Sequence, residues 1–175
     1  MGTPLVGIVM GSDSDLPVMR AAADILDEFG IPWEAVISSA HRAPEKTAAY
    51  AKEAAGRGLM VIIAGAGGAA HLAGVIAGHT PLPVIGVPIA SGALQGVDAL
   101  YATVQMPSGI PVATVAINGA KNAGILAAQI IGAAREDVRN KIVAYKEKMA
   151  RQVEQKSASL QELGIEAYLA AKRRG

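Results

Sequence analysis

The chain has 175 residues, of which 51% are hydrophobic and 3% aromatic, and its formal net charge is +1 at pH 7. This length suits one compact domain, and the even spread of Lys and Arg argues against the basic stripe that nucleic-acid binding requires. Cysteine is absent, which excludes disulfides, thiolate zinc sites and a cysteine nucleophile. With no signal-peptide pattern and no apolar run of about 20 residues, we expect a cytoplasmic protein without membrane contact.

Five short apolar runs alternate with helical patterns along the first 134 residues. Strands are predicted at 5–10, 33–38, 60–64, 83–87 and 112–116, and helices at 15–29, 44–56, 69–77, 95–104 and 120–134. Continuously apolar strands are typical of a parallel sheet that is buried on both faces. The alternation therefore predicts a doubly wound, five-stranded parallel α/β sheet in three layers, with ligands bound beyond the carboxyl ends of the strands.

The segment from residue 135 onward has a different composition. It is charged and helical, and its apolar residues recur at intervals of three and four: Val138, Ile142, Tyr145, Met149 and Val153. Such a helix either covers the sheet of its own subunit or reaches a neighbouring subunit. We favour the second interpretation, with an α/β catalytic domain at 1–134 and a C-terminal helical arm at 135–175. The basic run at 172–174 is expected to be a solvated end.

The turn after the first strand holds a cluster of polar residues. Gly11 permits a sharp turn, Ser12 and Ser14 supply hydroxyls, and the following helix supplies free amide groups for an anion. This combination predicts a phosphate and ribose site, in which Asp15 would accept from ribose hydroxyls. The alternative is that Ser14 or Asp15 simply caps the helix, although capping accounts for only one of these residues.

The loop after the second strand contains an imidazole beside a guanidinium. His41 can transfer a proton near neutral pH, and Arg42 is a permanent planar cation that suits phosphate. Ser39 precedes them and adds a hydroxyl to the predicted substrate site. A solvated turn would also fit this pair by itself, but its position at the same sheet edge as the first cluster favours a functional role.

A run of small residues follows the third strand, from Ala64 to Leu72. Glycine and alanine at Gly65, Ala66, Gly67 and Gly68 leave the backbone open to a flat ligand. His71 is either a second proton carrier or a helix-cap or core histidine. The run also fits a loose dinucleotide pattern, which we reject because it follows the third strand and no acidic residue lies about 20 positions on. The Gln105–Pro111 loop is either an ordinary connection or a lid on a neighbouring site.

Other cofactor signals are missing from the sequence. It contains no Gly-Lys dipeptide of a P-loop and no helical His pair for a metal. We therefore expect chemistry without metal, nucleotide or a covalently bound carrier.

Five blocks taken together identify a resemblance to a known family. They are Gly-Ser-Asp-Ser-Asp, Ser-Ala-His-Arg, Ile-Ile-Ala-Gly-Ala-Gly-Gly-Ala-Ala-His-Leu, Pro-Val-Ile-Gly-Val-Pro and Gln-Met-Pro-Ser-Gly-Ile-Pro-Val. From about residue 6 to 132 the chain resembles the class I 5-(carboxyamino)imidazole ribonucleotide mutases, also called catalytic subunits of phosphoribosylaminoimidazole carboxylase. The resemblance implies a flavodoxin-like fold, a homo-octamer with shared sites, and conversion of 5-carboxyamino-1-(5-phosphoribosyl)imidazole to 5-amino-1-(5-phosphoribosyl)imidazole-4-carboxylate.

The same resemblance implies residue roles. It places substrate binding on Ser12, Asp15 and Arg42, and acid–base catalysis on His41. It places the stretch 65–68 against the imidazole and carboxylate, with His71 and Leu72 nearby.

The resemblance also bears on the type of reaction. The Gly-Ala-Gly-Gly block favours the mutase over relatives that carboxylate aminoimidazole ribonucleotide directly with carbon dioxide. Leu16, Ala43 and Ala73 depart from the family pattern and put affinity in doubt rather than reaction type. Two alternatives stay open: the direct carboxylation itself, and a non-catalytic flavin- or nucleotide-binding module.

Overall fold

The computed structural model describes residues 2–172 and contains one parallel five-stranded sheet. Its strands are β1 (Val6–Met10), β2 (Trp33–Ile37), β3 (Val61–Gly67), β4 (Val84–Ile89) and β5 (Ala113–Thr114). They lie in the order β2-β1-β3-β4-β5, which is the doubly wound, flavodoxin-like order with a ligand crevice beyond the carboxyl ends of its strands. The predicted fold class is confirmed, and every residue of β1 and β4 is buried.

Helices cover both faces of the sheet. They are α1 (Leu16–Glu28), α2 (Pro44–Ala54), α3 (Leu72–Ala77), α4 (Val97–Val104), α5 (Ala120–Ala134) and α6 (Glu136–Lys172). Helices α1 and α5 pack on each other and on one face, while α2, α3 and α4 lie on the other. Helices α1 and α5 approach each other closely at Gly124 of α5, where an added methyl group would lie 2.4 Å from Ile25 Cγ2 and 2.9 Å from the Ala22 carbonyl oxygen.

The third strand is longer than the sequence pattern predicts. We expected it to end at Ala64, but Gly65, Ala66 and Gly67 continue the pairing with β4, opposite Val87, Pro88 and Ile89. Glycine is unfavourable in strands. The glycines after Ala64 therefore led us to predict the end of the strand three residues too early. The small residues therefore extend the sheet towards the ligand edge. The fifth strand is shorter than expected, with only Ala113 and Thr114 paired.

Side chains of the edge strand β2 form hydrogen bonds to the elements beside it. Trp33 Nε1 donates to Asp27 Oδ1 at 2.8 Å. Glu34 accepts from the Tyr50 hydroxyl at 2.8 Å and from both terminal nitrogens of Arg57. The Arg57 hydrogen bonds hold the pKa of Glu34 below its usual range, whereas burial raises the pKa of Tyr50. These contacts anchor β2 to helices on either side of it.

Residues 2–139 and 140–172 form two separate compact units. The predicted C-terminal helix is present as α6, and Gly164 interrupts it with φ 73° and ψ 168°. Along α6, Val138 and Ile142 are buried, while Met149 and Val153 are exposed. The last two residues of the basic run at 172–174 lie outside the described residues. No helix within 2–172 has both the length and the apolar character to cross a bilayer.

Candidate active site

A cavity of about 440 Å³ opens at the carboxyl ends of β1, β2, β3 and β4. Every site residue predicted from the sequence lines this cavity except Gly65 and Gly68. The residues that line it and were predicted are Gly11, Ser12, Ser14, Asp15, Ser39, His41, Arg42, Ala66, Gly67, His71 and Leu72. These residues come from the three loops that follow β1, β2 and β3, which converge on one site at the carboxyl ends of the parallel strands. Their roles in binding and catalysis stay predictions.

The first loop forms a short 3-10 turn, Asp13–Asp15, before α1. Ser12 caps it: the Ser14 amide donates to Ser12 Oγ at 3.4 Å, and the Ser12 amide donates to Asp15 Oδ2 at 3.2 Å. This reciprocal arrangement is a capping box. The expected alternative, in which Ser14 or Asp15 caps α1, is not what forms, because Asp15 makes no side-chain cap bond to α1. Capping is done one turn earlier, by the residues that face the cavity.

Asp15 is buried, with 9% of its surface exposed. Burial holds the pKa of its carboxyl above the usual value, although hydrogen bonds from the Ser12 amide and the Ser14 hydroxyl act in the opposite direction. A carboxyl whose pKa is raised by folding takes up a proton more readily in the folded state. Its ionised form therefore lowers the free energy of unfolding at neutral pH, and this penalty disappears as pH falls below the unfolded value of 3.8.

We accordingly expect Asp15→Asn to raise the thermal midpoint at about pH 7, with the gain vanishing near about pH 3. Scanning calorimetry across this pH range measures the effect. Asp24→Asn is the control, because its ion pair with Arg20 is exposed and 3.6 Å long, and such pairs contribute little to stability. A lower midpoint than wild type at neutral pH would mean that the hydrogen bonds to Asp15 outweigh its burial.

The second loop presents Arg42 to the cavity. Its Nε lies 3.4 Å from Ser39 Oγ, and one terminal nitrogen donates to the Gly11 carbonyl oxygen at 3.2 Å. Among the described residues these guanidinium contacts go to uncharged oxygens only. The positive charge of Arg42 is therefore left for an anionic ligand, and its position over Gly11 joins the second loop to the first. A planar cation of this kind suits phosphate.

Two histidines from different loops meet inside the cavity. His41 Nε2 lies 2.8 Å from His71 Nδ1, and the two rings are nearly perpendicular with centroids 4.9 Å apart. A hydrogen bond between two imidazole nitrogens needs one proton between them. The pair therefore shares a proton that either ring can hold. Both histidines are exposed and line the cavity. This arrangement favours the proton-carrier interpretation of His71 over a buried core histidine.

Gly65 and Gly68 differ from the other predicted residues in position. Gly65 is buried, and an added methyl group there would lie 2.3 Å from Met19 Sδ. The missing side chain at Gly65 therefore makes room for Met19 of α1 and does not face the cavity. Its carbonyl oxygen accepts from the Gly11 amide at 3.3 Å, which fixes the first loop. Gly68 adopts φ 60°, a left-handed conformation that turns the chain after β3. Neither residue lines the cavity.

Three lining residues were missed by the sequence analysis: Ala40, Ala70 and Ser91. Ser91 follows β4 by two positions, at the same end of the sheet as the other loops. The rule that ligands bind beyond the carboxyl ends of strands could have identified it, but no histidine or charged residue marks that loop. Within residues 2–172 no group of three or more His, Asp or Glu side chains is arranged to hold a metal ion.

A sequence model described as "AIR carboxylase" matches residues 5–152. This chain belongs to the AIR carboxylase family. The match contains all the residues predicted for the site, and it confirms the resemblance found in the sequence.

Several proteins match this chain over most of their own length. The N5-carboxyaminoimidazole ribonucleotide mutase of Pyrococcus horikoshii is 61% identical, over 95% of this chain and 94% of that protein. The mutase of Thermotoga maritima is 58% identical, over 95% of this chain and 97% of that protein. The crystal structure of Treponema denticola PurE superposes with a TM-score of 0.83 and 32% identity, covering 90% of this chain and 98% of that chain.

Proposed function

We propose that this enzyme is an isomerase of purine biosynthesis. It converts 5-carboxyamino-1-(5-phosphoribosyl)imidazole to 5-amino-1-(5-phosphoribosyl)imidazole-4-carboxylate. The observation that carries the proposal is the His41–His71 pair, with nitrogens 2.8 Å apart. The same cavity holds the guanidinium of Arg42, which has no carboxylate partner among residues 2–172. This reaction needs a group that transfers a proton and a site that binds the substrate phosphate. The sequence similarity to mutases supports the same activity.

The reaction moves one carboxyl group between two atoms of the substrate. The bond between the exocyclic nitrogen and the carboxyl carbon breaks, the nitrogen takes up a proton, and carbon dioxide is released inside the cavity. The ring carbon C4 then bonds to the carbon dioxide and loses its own proton, which restores the aromatic ring. One proton is given and one is taken back, so a single imidazole, His41, can act first as acid and then as base.

The other cavity residues hold the substrate during this exchange. Arg42 and the amides of the first turn bind the phosphate, and Ser12 and Asp15 bind the ribose. The small side chains of Ala66 and Gly67 leave room for the flat imidazole. Keeping the released carbon dioxide next to C4 raises its effective concentration, which replaces an input of chemical energy. The hydrogen bond between His41 and His71 fixes the orientation of the His41 ring.

An assay of carbamate-to-carboxylate conversion without ATP, metal or biotin tests the proposal. We expect product to accumulate at a rate that does not depend on added bicarbonate. The competing reaction, which the family description names, is direct carboxylation of aminoimidazole ribonucleotide. Supplying that compound with bicarbonate distinguishes the two: rapid carboxylation there, together with no conversion of the carbamate, would contradict the mutase and favour the carboxylase.

We also propose that the enzyme works as a homo-octamer whose subunits complete one another's sites. In a single chain His41 and His71 are exposed, whereas trapping of carbon dioxide requires a closed chamber. An apolar stripe is available for contact with other subunits on and before α4: Leu94, Val97, Tyr101 and Val104 are 45–61% exposed. Exposed apolar residues of α6, such as Met149 and Val153, support its proposed role as an arm on a neighbour. Sedimentation equilibrium measures the mass; a monomer would contradict the octamer.

We propose a cytoplasmic location for this activity. The substrate is a phosphorylated, charged intermediate that does not cross membranes unaided, so the enzyme must share the compartment in which the substrate is made.

A further inference from the structure

Ser91 lies on the wall of the cavity farthest from Arg42. Arg42 follows β2 and Ser91 follows β4, and the strand order β2-β1-β3-β4 separates them by three strand spacings, or about 14 Å. Ser91 is pressed against the end of β3, because a methyl group added at Gly67 would lie 2.6 Å from Ser91 Oγ. A substrate whose phosphate is held at Arg42 therefore points its opposite end towards Ser91.

The hydroxyl of Ser91 differs from those of the other serines that line the cavity. Ser12 Oγ is bonded to Asp13 Oδ1 and to the Ser14 amide. The Ser14 hydroxyl is bonded to Asp15, and Ser39 Oγ accepts from Arg42. The Ser91 hydroxyl has no hydrogen-bond partner among residues 2–172. Ser39 Oγ only accepts, so its proton is also available, but it lies against Arg42 at the other end of the cavity. At the end opposite Arg42, Ser91 therefore offers a free hydroxyl to a ligand.

Few other side chains at that end of the cavity can donate a hydrogen bond. Ala66, Gly67, Ala70 and Leu72 line the wall around Ser91 and carry no polar side-chain atoms. His71 is engaged with His41 through Nδ1. Apart from His71 Nε2, which this bond leaves available, Ser91 is the side chain here that can donate to a carboxylate. A carboxylate without such a donor is costly to desolvate.

We propose that Ser91 is a specificity-determining residue, whose Oγ donates a hydrogen bond to the migrating carboxyl group. The assignment rests on the proposed function and extends it. The hydroxyl holds the carboxylate of the carbamate before the nitrogen–carbon bond breaks and the carboxylate on C4 after the new bond forms. Between these states it keeps one oxygen of the neutral carbon dioxide beside C4, which favours recapture over escape.

The test is the Ser91→Ala variant in the carbamate assay, with both products measured. We expect formation of the 4-carboxylate to fall by about 10- to 100-fold, the usual effect of removing a hydrogen bond to a charged group. We also expect more aminoimidazole ribonucleotide to be released per carboxylate formed, because carbon dioxide escapes. A purely structural role would lower the rate without changing this ratio. Ser91→Cys keeps a weak donor, so its rate and product ratio are expected to lie between those of wild type and Ser91→Ala.

Ser157→Ala is the matched control, because Ser157 is exposed on α6 and does not line the cavity. Its rate and product ratio should equal those of wild type. If wild type converts the carbamate and Ser91→Ala matches it in rate and ratio, the assignment of Ser91 is overturned while the proposed function stands. If wild type itself fails to convert the carbamate, the proposed function is overturned, and the assignment of Ser91 with it.

Discussion

Replacing His41 by Asn is expected to lower kcat for carboxyl transfer by about 10²- to 10⁴-fold, the usual contribution of a positioned acid–base group. Asparagine keeps the size and polarity of the side chain but cannot exchange a proton near neutral pH. Binding of the 4-carboxylate product should change little, because Arg42 and Ser12 are untouched. Steady-state kinetics and calorimetric titration with product measure the two quantities separately.

His79→Asn is the control for the His41 variant. His79 is exposed and lies outside the cavity, so its replacement should leave kcat unchanged. Turnover of His41→Asn close to that of wild type would remove His41 from the mechanism. Loss of product binding together with turnover would instead make His41 a binding residue.

The second large effect is expected on stability, at the contact of α1 with α5. Gly124→Val places a branched side chain where even a methyl group would lie 2.4 Å from Ile25 Cγ2 and 2.9 Å from the Ala22 carbonyl oxygen. The side chain of Ile25 can move, but the backbone of α1 cannot move without shifting the whole helix off the sheet. We expect a loss of about 3 kcal/mol, the upper part of the range for an overpacked core.

For a chain of this length, such a loss corresponds to a fall of roughly 6–12 °C in the thermal midpoint. Circular dichroism at 222 nm during heating measures it. Gln129→Val is the matched control, because it introduces the same branched side chain at an exposed position of α5. Equal midpoints for the two variants would show that the helices can separate at Gly124 without penalty.

Much of the fold was predictable because five short apolar runs alternate regularly with helical patterns in the sequence. The helix predicted at 120–134 has the bounds of α5, since the segment between Gly119 and Arg135 is rich in alanine and isoleucine and contains no proline. Prediction failed at β3, where glycine has no side chain to reveal whether the backbone is paired. Gly65 and Gly67 pair with β4, and Met19 and Ser91 lie too close to them for a larger side chain. Both neighbours are distant in sequence, so a local pattern does not show why glycine stands in a strand here.

The candidate site was predictable to the extent that it carries unusual chemistry. His41, Arg42 and Asp15 are conspicuous as titratable or charged residues beside strand ends, and the cavity brings them together. The direct contact of His41 with His71 could not be inferred, because it depends on how two loops separated by thirty residues turn. Ser91 was missed because a single serine between alanine and glycine carries no distinctive signal.

The anchoring of β2 has a practical consequence for spectroscopy. Trp33 is the sole tryptophan of the chain, and its indole donates to Asp27 at 2.8 Å on the border of the sheet. Its emission therefore reports on one location, where the first helix meets the outermost strand. A change in the emission maximum during denaturation marks the detachment of that strand, whereas far-ultraviolet dichroism follows the helices as a whole. Comparing the two signals would reveal whether the sheet opens from this border before the remaining layers separate.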